Sequence, residues 1–313
     1  MVVVAVVGHV AWDHLFRVRR LPTPPASEPV LEHVVEPGGA GANTAVVLAG
    51  LRVSPRILTV VGPDFCSHGY ESRLVSLGVD TSHLIRSVAE SAKAYIFTDE
   101  HNNQISFFDW GCAKQLVNMD PPEEGIATAK HLHIATGHPN YNMKAARIAK
   151  KHGCTVSFGP GQDICHYTKK DLFEILANVD ILLTNQHEEK VIKKIVHPED
   201  PLELGPTIQV TTLGEKGSKI LTQDKEIHVS AYKTVVVDPT GAGDAYYAGF
   251  IAAWLKNQSL EFCGRIATAT ASYALEARGT QKKTPTWEQA VSRAEKVSVN
   301  TKSVETTRGH RCS

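Results

Sequence analysis

The chain has 313 residues, of which 42% are hydrophobic and 21% charged, an ordinary composition for a globular protein with one large α/β domain or two smaller ones. Lys plus Arg and Asp plus Glu both number 33, so the net charge is zero and no electrostatic field favours nucleic acid or an anionic membrane. No apolar run reaches the roughly 18 residues of a membrane-spanning helix. The six cysteines lack Cys-x-x-Cys spacing, so we expect reduced thiols and a cytoplasmic protein.

The first segment, Val2–Val7, is apolar and ends at Gly8, which predicts a buried strand. Asp13 follows a few residues later. Ligands of open α/β sheets bind beyond the carboxyl ends of the strands, so Asp13 is a candidate ligand-binding carboxylate. An Asp in an ordinary turn is the alternative interpretation.

Two segments, residues 14–36 and residues 92–110, each contain two predicted strands with no helix between them. Such segments do not fit a βαβ unit, so we expect them to pair in one small antiparallel sheet that forms a lid. Phe107, Phe108 and Trp110 are candidates for the substrate side of this lid, with packing inside the lid as the alternative for at least one of the three. An exposed sheet face is often a contact between copies, so a homodimer through the lid is expected.

A glycine pair, Gly38-Gly39, precedes a predicted helix that continues to about Leu51. The glycines allow the backbone to approach a ligand closely, and Asn43 offers both a hydrogen-bond donor and an acceptor. A glycine pair before a helix is common, so this pattern gains its value from the other motifs.

From residue 130 onwards strands and helices alternate regularly, which predicts a parallel sheet covered on both faces. Asn185 and Glu188 directly follow one of these strands. A capping box explains their spacing, because Asn185 suits the N-cap and Glu188 the N3 position. A role towards a bound ligand is the second interpretation, and one residue can serve both purposes.

Residues 235–244 carry the pattern on which the functional hypothesis depends. Val235–Val237 predicts a short buried strand, and Gly241 and Gly243 allow a tight turn into an apolar helix. The N-terminal amides of that helix favour an anion. Asp244 lies in the first helical turn, where it either complements the helix dipole or acts as a general base beside an anion site.

A specific signature is visible in residues 238–244, which read Asp-Pro-Thr-Gly-Ala-Gly-Asp. This stretch resembles the Asp-Thr-x-Gly-Ala-Gly-Asp motif of the ribokinase-like (PfkB-type) carbohydrate and nucleoside kinases. The resemblance implies that Asp244 is the catalytic base and that Gly241, Ala242 and Gly243 form the anion hole for the transferred phosphoryl group. Pro239 replaces the family's Thr at a position that is not expected to contact substrate.

The resemblance also assigns the acceptor side of the site. It implies that Asp13 grips two sugar hydroxyls and that Asn43, in a motif with Gly38 and Gly39, contacts the sugar. Further substrate contacts implied by the lid and by a loop near residue 160 are Gln104, Phe107 and Gln162. These segments resemble archaeal-type nucleoside kinases, which phosphorylate the 5′-hydroxyl of inosine, guanosine, cytidine or adenosine. A ribokinase-type or fructokinase-type sugar kinase is the alternative within the family.

The same resemblance assigns the side of the phosphate donor, ATP. The implied ATP-binding residues are Asn185, Thr212, Gly214 and Gly217, and Asn185 and Glu188 are implied to organise Mg²⁺ through water. Asp238 and Thr240 are implied to hold a monovalent cation such as K⁺. Lys283 stands where the family often has a small hydroxyl residue, and it therefore departs from the pattern.

The sequence as a whole predicts one ribokinase-like kinase domain over residues 1–297, with a mostly parallel, doubly wound α/β sheet and a small β-sheet lid. Residues 298–313 are polar and without periodicity, and a disordered tail is expected there. A non-catalytic, ligand-sensing relative is disfavoured because Asp244 and the Gly-Ala-Gly run are intact. We expect ATP and a nucleoside or sugar as ligands, with no nucleic acid and no membrane.

Overall fold

The computed structural model describes residues 3–304, and its centre is a nine-stranded sheet. In order from one edge the strands are β15 (Val299–Ser303), β14 (Lys225–Val229), β13 (Ser218–Leu221), β12 (Ile208–Thr212), β11 (Ile181–Asn185), β10 (Thr155–Phe158), β9 (His131–Ile134), β1 (Val3–Val7) and β4 (Ser54–Leu58). The six strands from β12 to β4 run parallel, and the three at the other edge are antiparallel. The predicted mostly parallel sheet is confirmed.

Helices cover both faces of this sheet. They are α1 (Ala40–Gly50), α2 (Pro63–Ser67), α3 (Tyr70–Ser76), α4 (Glu123–Ala127), α5 (Pro139–Lys151), α6 (Lys169–Leu176), α7 (Gln186–Val196), α8 (Ala242–Leu255), α9 (Leu260–Leu275) and α10 (Trp287–Ala294). Strand β1 shows why both faces must be covered, since Val4 and Val6 pack towards α1, α8 and α9 whereas Ala5 and Val7 pack towards α5 and α6. Among the helices of residues 3–304, none is long and apolar enough to cross a bilayer.

A separate four-stranded sheet lies beside the large one. Its order is β3 (Val30–Gly38), β2 (Ala11–Val18), β7 (Ala92–Thr98) and β8 (Gln104–Asp109), and a further two-stranded ladder joins β5 (Val60–Val61) to β6 (Ile85–Arg86). The segments 14–36 and 92–110 therefore pair with each other. The expectation of an antiparallel sheet is wrong at its centre, because β2 and β7 run parallel. Two hairpins that are each antiparallel can also join side by side in this way.

The two faces of the small sheet differ. Asp13, Ala94 and Phe108 are neighbours across three strands, and the alternation of side chains places Phe107 on the opposite face. Phe107 is 59% exposed and packs its edge against Phe97. The prediction for the substrate side is therefore wrong for Phe107, whereas Phe108, a candidate in the same prediction, lies on the face of Asp13.

Two further expectations about elements are wrong. Val235–Val237 is not a buried strand, because its side chains are 77%, 45% and 40% exposed and the amide of Val237 bonds the carbonyl of Leu275 at the end of α9. The edge of the sheet that such a strand could join is occupied by β15. Residues 299–303 form this strand and pair with β14, so this part of the expected disordered tail is ordered. Residues 305–313 lie outside the described residues.

Candidate active site

Two adjoining cavities open at the carboxyl ends of the parallel strands. The acceptor cavity encloses about 470 Å³ between the large and small sheets, and its lining includes Asp13, Gly39, Asn43, Gln104, Gln162, Asn185, Glu188, Thr240, Gly241 and Asp244. The donor cavity encloses about 930 Å³, and its lining includes Gly214, Gly217, Tyr246, Thr268 and Leu275. Thr212, Pro239 and Gly243 line both cavities. The N-terminus of α8 therefore stands at their junction.

The turn before α8 depends on glycine. Gly241 has a φ of 77°, and a Cβ there would lie 2.8 Å from the Cβ of Thr280. At Gly243 a Cβ would meet no atom within 4 Å, so this part of the turn faces open space. The 14-residue helix α8 begins at Ala242, whose amide bonds the carbonyl of Pro239 at 3.3 Å, and Gly243 in the first helical turn lines both cavities. This arrangement is suited to hold an anion.

Asp244 lies in the first turn of α8 and accepts a hydrogen bond at Oδ2 from Nδ2 of Asn43, at 2.8 Å. Burial raises the pKa of Asp244 to about 7, the Asn43 hydrogen bond opposes this rise, and the nearby charge of Glu188 adds to it. A carboxylate with a pKa near neutrality is well suited to accept a proton from an alcohol.

Asn43 is itself held by two donors. Its Oδ1 accepts hydrogen bonds from Oγ1 of Thr280 at 2.7 Å and from Nε2 of Gln281 at 3.0 Å. Nε2 of Gln281 also donates to the hydroxyl of Tyr70 at 2.7 Å. This network fixes the orientation of the Asn43 amide and, through it, of Asp244. Sequence reasoning missed Tyr70, Thr280 and Gln281, which carry no motif of their own.

Asp13 lies in the middle of the acceptor cavity wall and is 4% exposed. Burial raises its pKa to about 8, and the charges of Asp244 and Asp238 add to the rise. Within residues 3–304 no side chain or amide donates a hydrogen bond to its carboxyl group, so both oxygens are available to a ligand, and hydrogen bonds from ligand hydroxyls would favour the charged form. This arrangement suits a pair of neighbouring hydroxyl groups.

Gly38 and Gly39 lie in close contact with the backbone and side chains around Asp13. A Cβ on Gly38 would lie 1.9 Å from Oδ2 of Asp13, and Gly38 does not line the cavity. Gly39 has a φ of 91°, and a Cβ there would lie 2.5 Å from the carbonyl oxygen of His9. Both glycines are therefore required by close approach within the protein, and Gly39 also lines the acceptor cavity.

Asn185 and Glu188 form a reciprocal capping box at the start of α7. The Glu188 amide donates to Oδ1 of Asn185 at 2.9 Å, and the Asn185 amide donates to Oε2 of Glu188 at 3.0 Å. Both residues also line the acceptor cavity, and burial raises the pKa of Glu188 to about 7. The capping interpretation therefore holds, and the side chains also stand where a ligand would meet them.

The loop before α8 is tied by Asp238. Its Oδ1 accepts hydrogen bonds from the amide and hydroxyl of Thr240, and its Oδ2 accepts one from the amide of Gly279 at 3.1 Å. Gln104 of the small sheet donates to Oγ1 of Thr240 at 3.1 Å. Lys283 pairs with Glu276 at 2.6 Å, so its ammonium group is neutralised outside this loop.

Several cavity residues were not found from the sequence. They are His9, His133, Thr136 and Tyr247. His9 and Thr136 each follow the end of a parallel strand, the same position that drew attention to Asn185. That positional signal could have found these two residues, whereas the place of Tyr247 depends on how α8 packs.

Comparison with known proteins gives a consistent result. Residues 1–287 match the pfkB family carbohydrate kinase. The nucleoside kinase of Methanocaldococcus jannaschii is 43% identical over 294 residues, which cover 93% of this chain and 96% of that protein. The nucleoside kinase of Methanothermobacter thermautotrophicus is 37% identical over 290 residues, which cover 92% of this chain and 94% of that protein.

Solved structures agree with this result. The crystal structure of the M. jannaschii nucleoside kinase, described as an archaeal member of the ribokinase family, superposes with a TM-score of 0.87 at 42% identity and covers 95% of this chain and 99% of that chain. A nucleoside kinase of Burkholderia thailandensis in complex with inosine gives a TM-score of 0.84 at 22% identity over 94% and 98%, which shows the shared fold. With the family matched over nearly the whole chain, this protein belongs to the pfkB family of carbohydrate kinases.

Proposed function

We propose that this protein transfers the γ-phosphoryl group of ATP to the 5′-hydroxyl of a nucleoside such as inosine, guanosine, cytidine or adenosine. The observation that carries the proposal is the junction of the two cavities at Gly243, beside Asp244. A phosphoryl donor in one cavity and an alcohol in the other would meet at the amides of α8 and at a carboxylate. The two archaeal nucleoside kinases with 43% and 37% identity support a nucleoside as the acceptor.

The proposed chemistry assigns each group one task. Asp244 accepts the proton of the attacking hydroxyl, and its pKa near 7 keeps it able to do so at neutral pH. The amides of Gly241, Ala242 and Gly243 stabilise the negative charge on the transferred group. The free oxygens of Asp13 hold the two ribose hydroxyls. Asn43 orients Asp244 and has a second amide hydrogen that can reach the sugar.

ATP and its metal ion are proposed to bind across the two cavities. Thr212, Gly214 and Gly217 line the donor cavity, in line with the predicted nucleotide loop. Asn185 and Glu188 line the acceptor cavity and carry side-chain oxygen atoms, the ligand type that Mg²⁺ prefers, so they are proposed to organise the ion through water. Mg²⁺ would neutralise charge on the phosphate groups during transfer.

A monovalent cation at Asp238 and Thr240 is a separate proposal. Both carboxylate oxygens of Asp238 already accept hydrogen bonds from the protein, and a cation would have to share them. Activity in potassium chloride compared with choline chloride at equal ionic strength tests this point. No difference between the two salts would reject a functional K⁺ site.

A homodimer through the small sheet is also proposed. The sheet face opposite Asp13 carries four exposed apolar side chains. Their exposed fractions are 58% for Leu31, 46% for Val35, 47% for Ile105 and 59% for Phe107. Clustered exposed apolar side chains on one sheet face favour association. A cytoplasmic location is proposed as well, supported by the free thiols Cys66, Cys112, Cys154, Cys165 and Cys263.

The function is tested with a panel of acceptors in the presence of ATP and Mg²⁺. Release of ADP is measured with inosine, guanosine, cytidine, adenosine, free ribose and fructose. We expect kcat/KM to be highest for nucleosides. Turnover of free sugars alone would show a sugar kinase, and absence of turnover with every acceptor would reject the kinase proposal.

A further inference from the structure

The feature that carries a further inference is His9, which follows the first strand and is 1% exposed. Its backbone is held firmly, because its carbonyl oxygen accepts the amides of Gly41 at 3.0 Å and Ala42 at 3.3 Å from the start of α1. The backbone of His9 is therefore anchored to the start of α1, and its side chain is almost completely enclosed by the protein.

The imidazole of His9 forms a buried pair with Asp163. Its Nε2 lies 3.1 Å from Oδ2 of Asp163, across 154 residues of sequence, and the side chains are 1% and 4% exposed. The carboxylate can only accept, so Nε2 carries the hydrogen of this bond. Within residues 3–304, Nδ1 has no partner. The pair thus links the loop after β1 to the 3₁₀ helix Gly161–His166 through one hydrogen bond.

Each side of this pair leads to a residue in the acceptor cavity. On one side, Asp163 directly follows Gln162, which lines the cavity. The side-chain carboxamide of Gln162 forms no hydrogen bond with another residue of the described chain. On the other side, the His9 ring lies 4.7 Å from the ring of Phe108 and 4.8 Å, edge to face, from that of Trp110. Phe108 also lines the cavity.

The side chains of Gln162 and Phe108 are of types that can bind a nucleobase. A free carboxamide offers one acceptor and two donors, which can match the polar edge of a base. An aromatic ring offers a stacking surface that any base can use. Neither Gln162 nor Phe108 bonds Asp13, Asn43 or Asp244 in the described chain, so their contribution is separable from catalysis.

We propose that the His9–Asp163 pair is the positioning element for nucleobase recognition, acting through Gln162 and Phe108. The inference rests on the proposed nucleoside kinase function and extends it to the origin of base selectivity. His9 fixes the distance between the small-sheet aromatic ring and the loop amide, so that a base enters between two groups of defined separation. A histidine that merely satisfies a core carboxylate would have no such effect on selectivity.

The test is a double-mutant cycle of Asp163→Asn and Gln162→Ala. Asp163→Asn keeps the size and one acceptor oxygen but removes the charge that strengthens the bond. We expect it to raise KM for nucleosides about 5-fold or more, with a smaller change in kcat, and to change the ratio of kcat/KM between inosine and cytidine. In the Gln162→Ala background the same change should have less effect, because coupled residues are not additive.

The matched control is Glu123→Gln, which weakens another His–carboxylate pair, His152 with Glu123 at 2.7 Å, outside both cavities. It should leave the inosine-to-cytidine ratio unchanged. Thermal unfolding of each variant is measured alongside. An Asp163→Asn effect that is equal for all nucleosides and fully additive with Gln162→Ala would overturn the inference, and so would unchanged KM values.

Failure of the underlying function is distinguishable in the same experiment. If the wild-type protein turns over no nucleoside, the proposed function fails and this inference fails with it. If the wild-type protein turns over nucleosides and the cycle shows no coupling, only the inference fails.

Discussion

Asn43 donates a hydrogen bond from Nδ2 to Oδ2 of Asp244 over 2.8 Å, across 201 residues of sequence. The two residues belong to different motifs, at the starts of α1 and α8. The bond makes the motif that was expected to contact the sugar a direct support of the proposed catalytic base. Since Asn43 is oriented by Thr280 and Gln281, the base is held by three segments that meet only in the folded chain.

Replacement of Asp244 by Asn tests the general base. The substitution keeps the size of the side chain and removes its ability to accept a proton, so kcat should fall by about 10²–10⁴-fold. Nucleoside binding, measured by calorimetry, should change far less, because Asp13 and the amides of α8 remain. Asp120→Asn, at an exposed aspartate paired with Lys144, serves as the control. A variant that keeps more than about a tenth of wild-type kcat would contradict the assignment.

Replacement of Asn43 by Ala should move the acidic limb of the rate profile. The Asn43 hydrogen bond lowers the pKa of Asp244, so its loss should raise that pKa above about 7. A base must be deprotonated to act, so the limb of kcat/KM against pH should shift to higher pH. Asn178→Ala, which removes an amide that bonds the Glu174 carbonyl elsewhere, is the control. A limb that stays in place would show that Asn43 does not tune Asp244.

Asp13 should make the enzyme sensitive to the ribose 2′-hydroxyl. If its two free oxygens accept from two neighbouring hydroxyls, loss of one partner should cost roughly 1.5–3 kcal/mol. Steady-state kinetics with guanosine and 2′-deoxyguanosine measure this difference as kcat/KM. Asp13→Ala should remove most of the discrimination. Equal turnover of both substrates by the wild-type protein would assign Asp13 another role.

The same residue should reduce stability at alkaline pH. The pKa of Asp13 is about 8 in the folded protein and 3.8 in its ordinary state, so between these values the folded chain binds more protons than the unfolded chain. The free energy of unfolding contributed by this group therefore falls as pH rises from about 4 to about 8. Asp13→Asn should stabilise the protein at pH 8 by on the order of 2 kcal/mol, and much less at pH 4.5.

Urea denaturation of both proteins at the two pH values gives the comparison. Asp109 lies in the same small sheet, and its pKa is shifted in the opposite direction to that of Asp13, because the Gly111 amide and Lys114 lower it. Asp109→Asn should therefore not stabilise the protein at pH 8. An Asp13→Asn variant less stable than wild type at pH 8 would contradict the argument.

Phe107 should control association if the small sheet forms a dimer contact. Phe107→Glu places a charge on the exposed apolar face, and light scattering at micromolar concentration should then show a monomer where the wild-type protein shows a dimer. Val88→Glu is the matched control, since Val88 is 97% exposed outside this sheet. A wild-type monomer would reject the dimer.

Much of the site could be predicted from the sequence because its signals are local. Gly241 and Asn185 stand at a helix start or a strand end, where the residue type itself indicates a turn or a cap. Asp13 is indicated by its place shortly after β1, although it lies within β2 of the small sheet. The bonds that hold these groups could not be predicted in the same way. Asn43 with Asp244 and His9 with Asp163 join segments more than 150 residues apart, and no local pattern records such a pairing.

The errors have physical causes as well. Val235–Val237 has strong β propensity, but propensity describes a preference and the edge strand of the sheet is supplied by residues 299–303 instead. Phe107 and Phe108 differ by one position, and in a strand one position decides which face a side chain takes. Which of the two side chains faces the cavity depends on the register between β7 and β8, and no local sequence pattern indicates that register.

The last strand, Val299–Ser303, has a consequence for how the chain can be shortened. It pairs along the whole of β14, which would otherwise be the free edge of the nine-stranded sheet. A chain cut before residue 299 would keep every proposed catalytic group and yet expose the unpaired amides and carbonyls of Lys225–Val229. Such an edge can pair with strands of other molecules, so we expect the truncated protein to aggregate although its catalytic groups are intact.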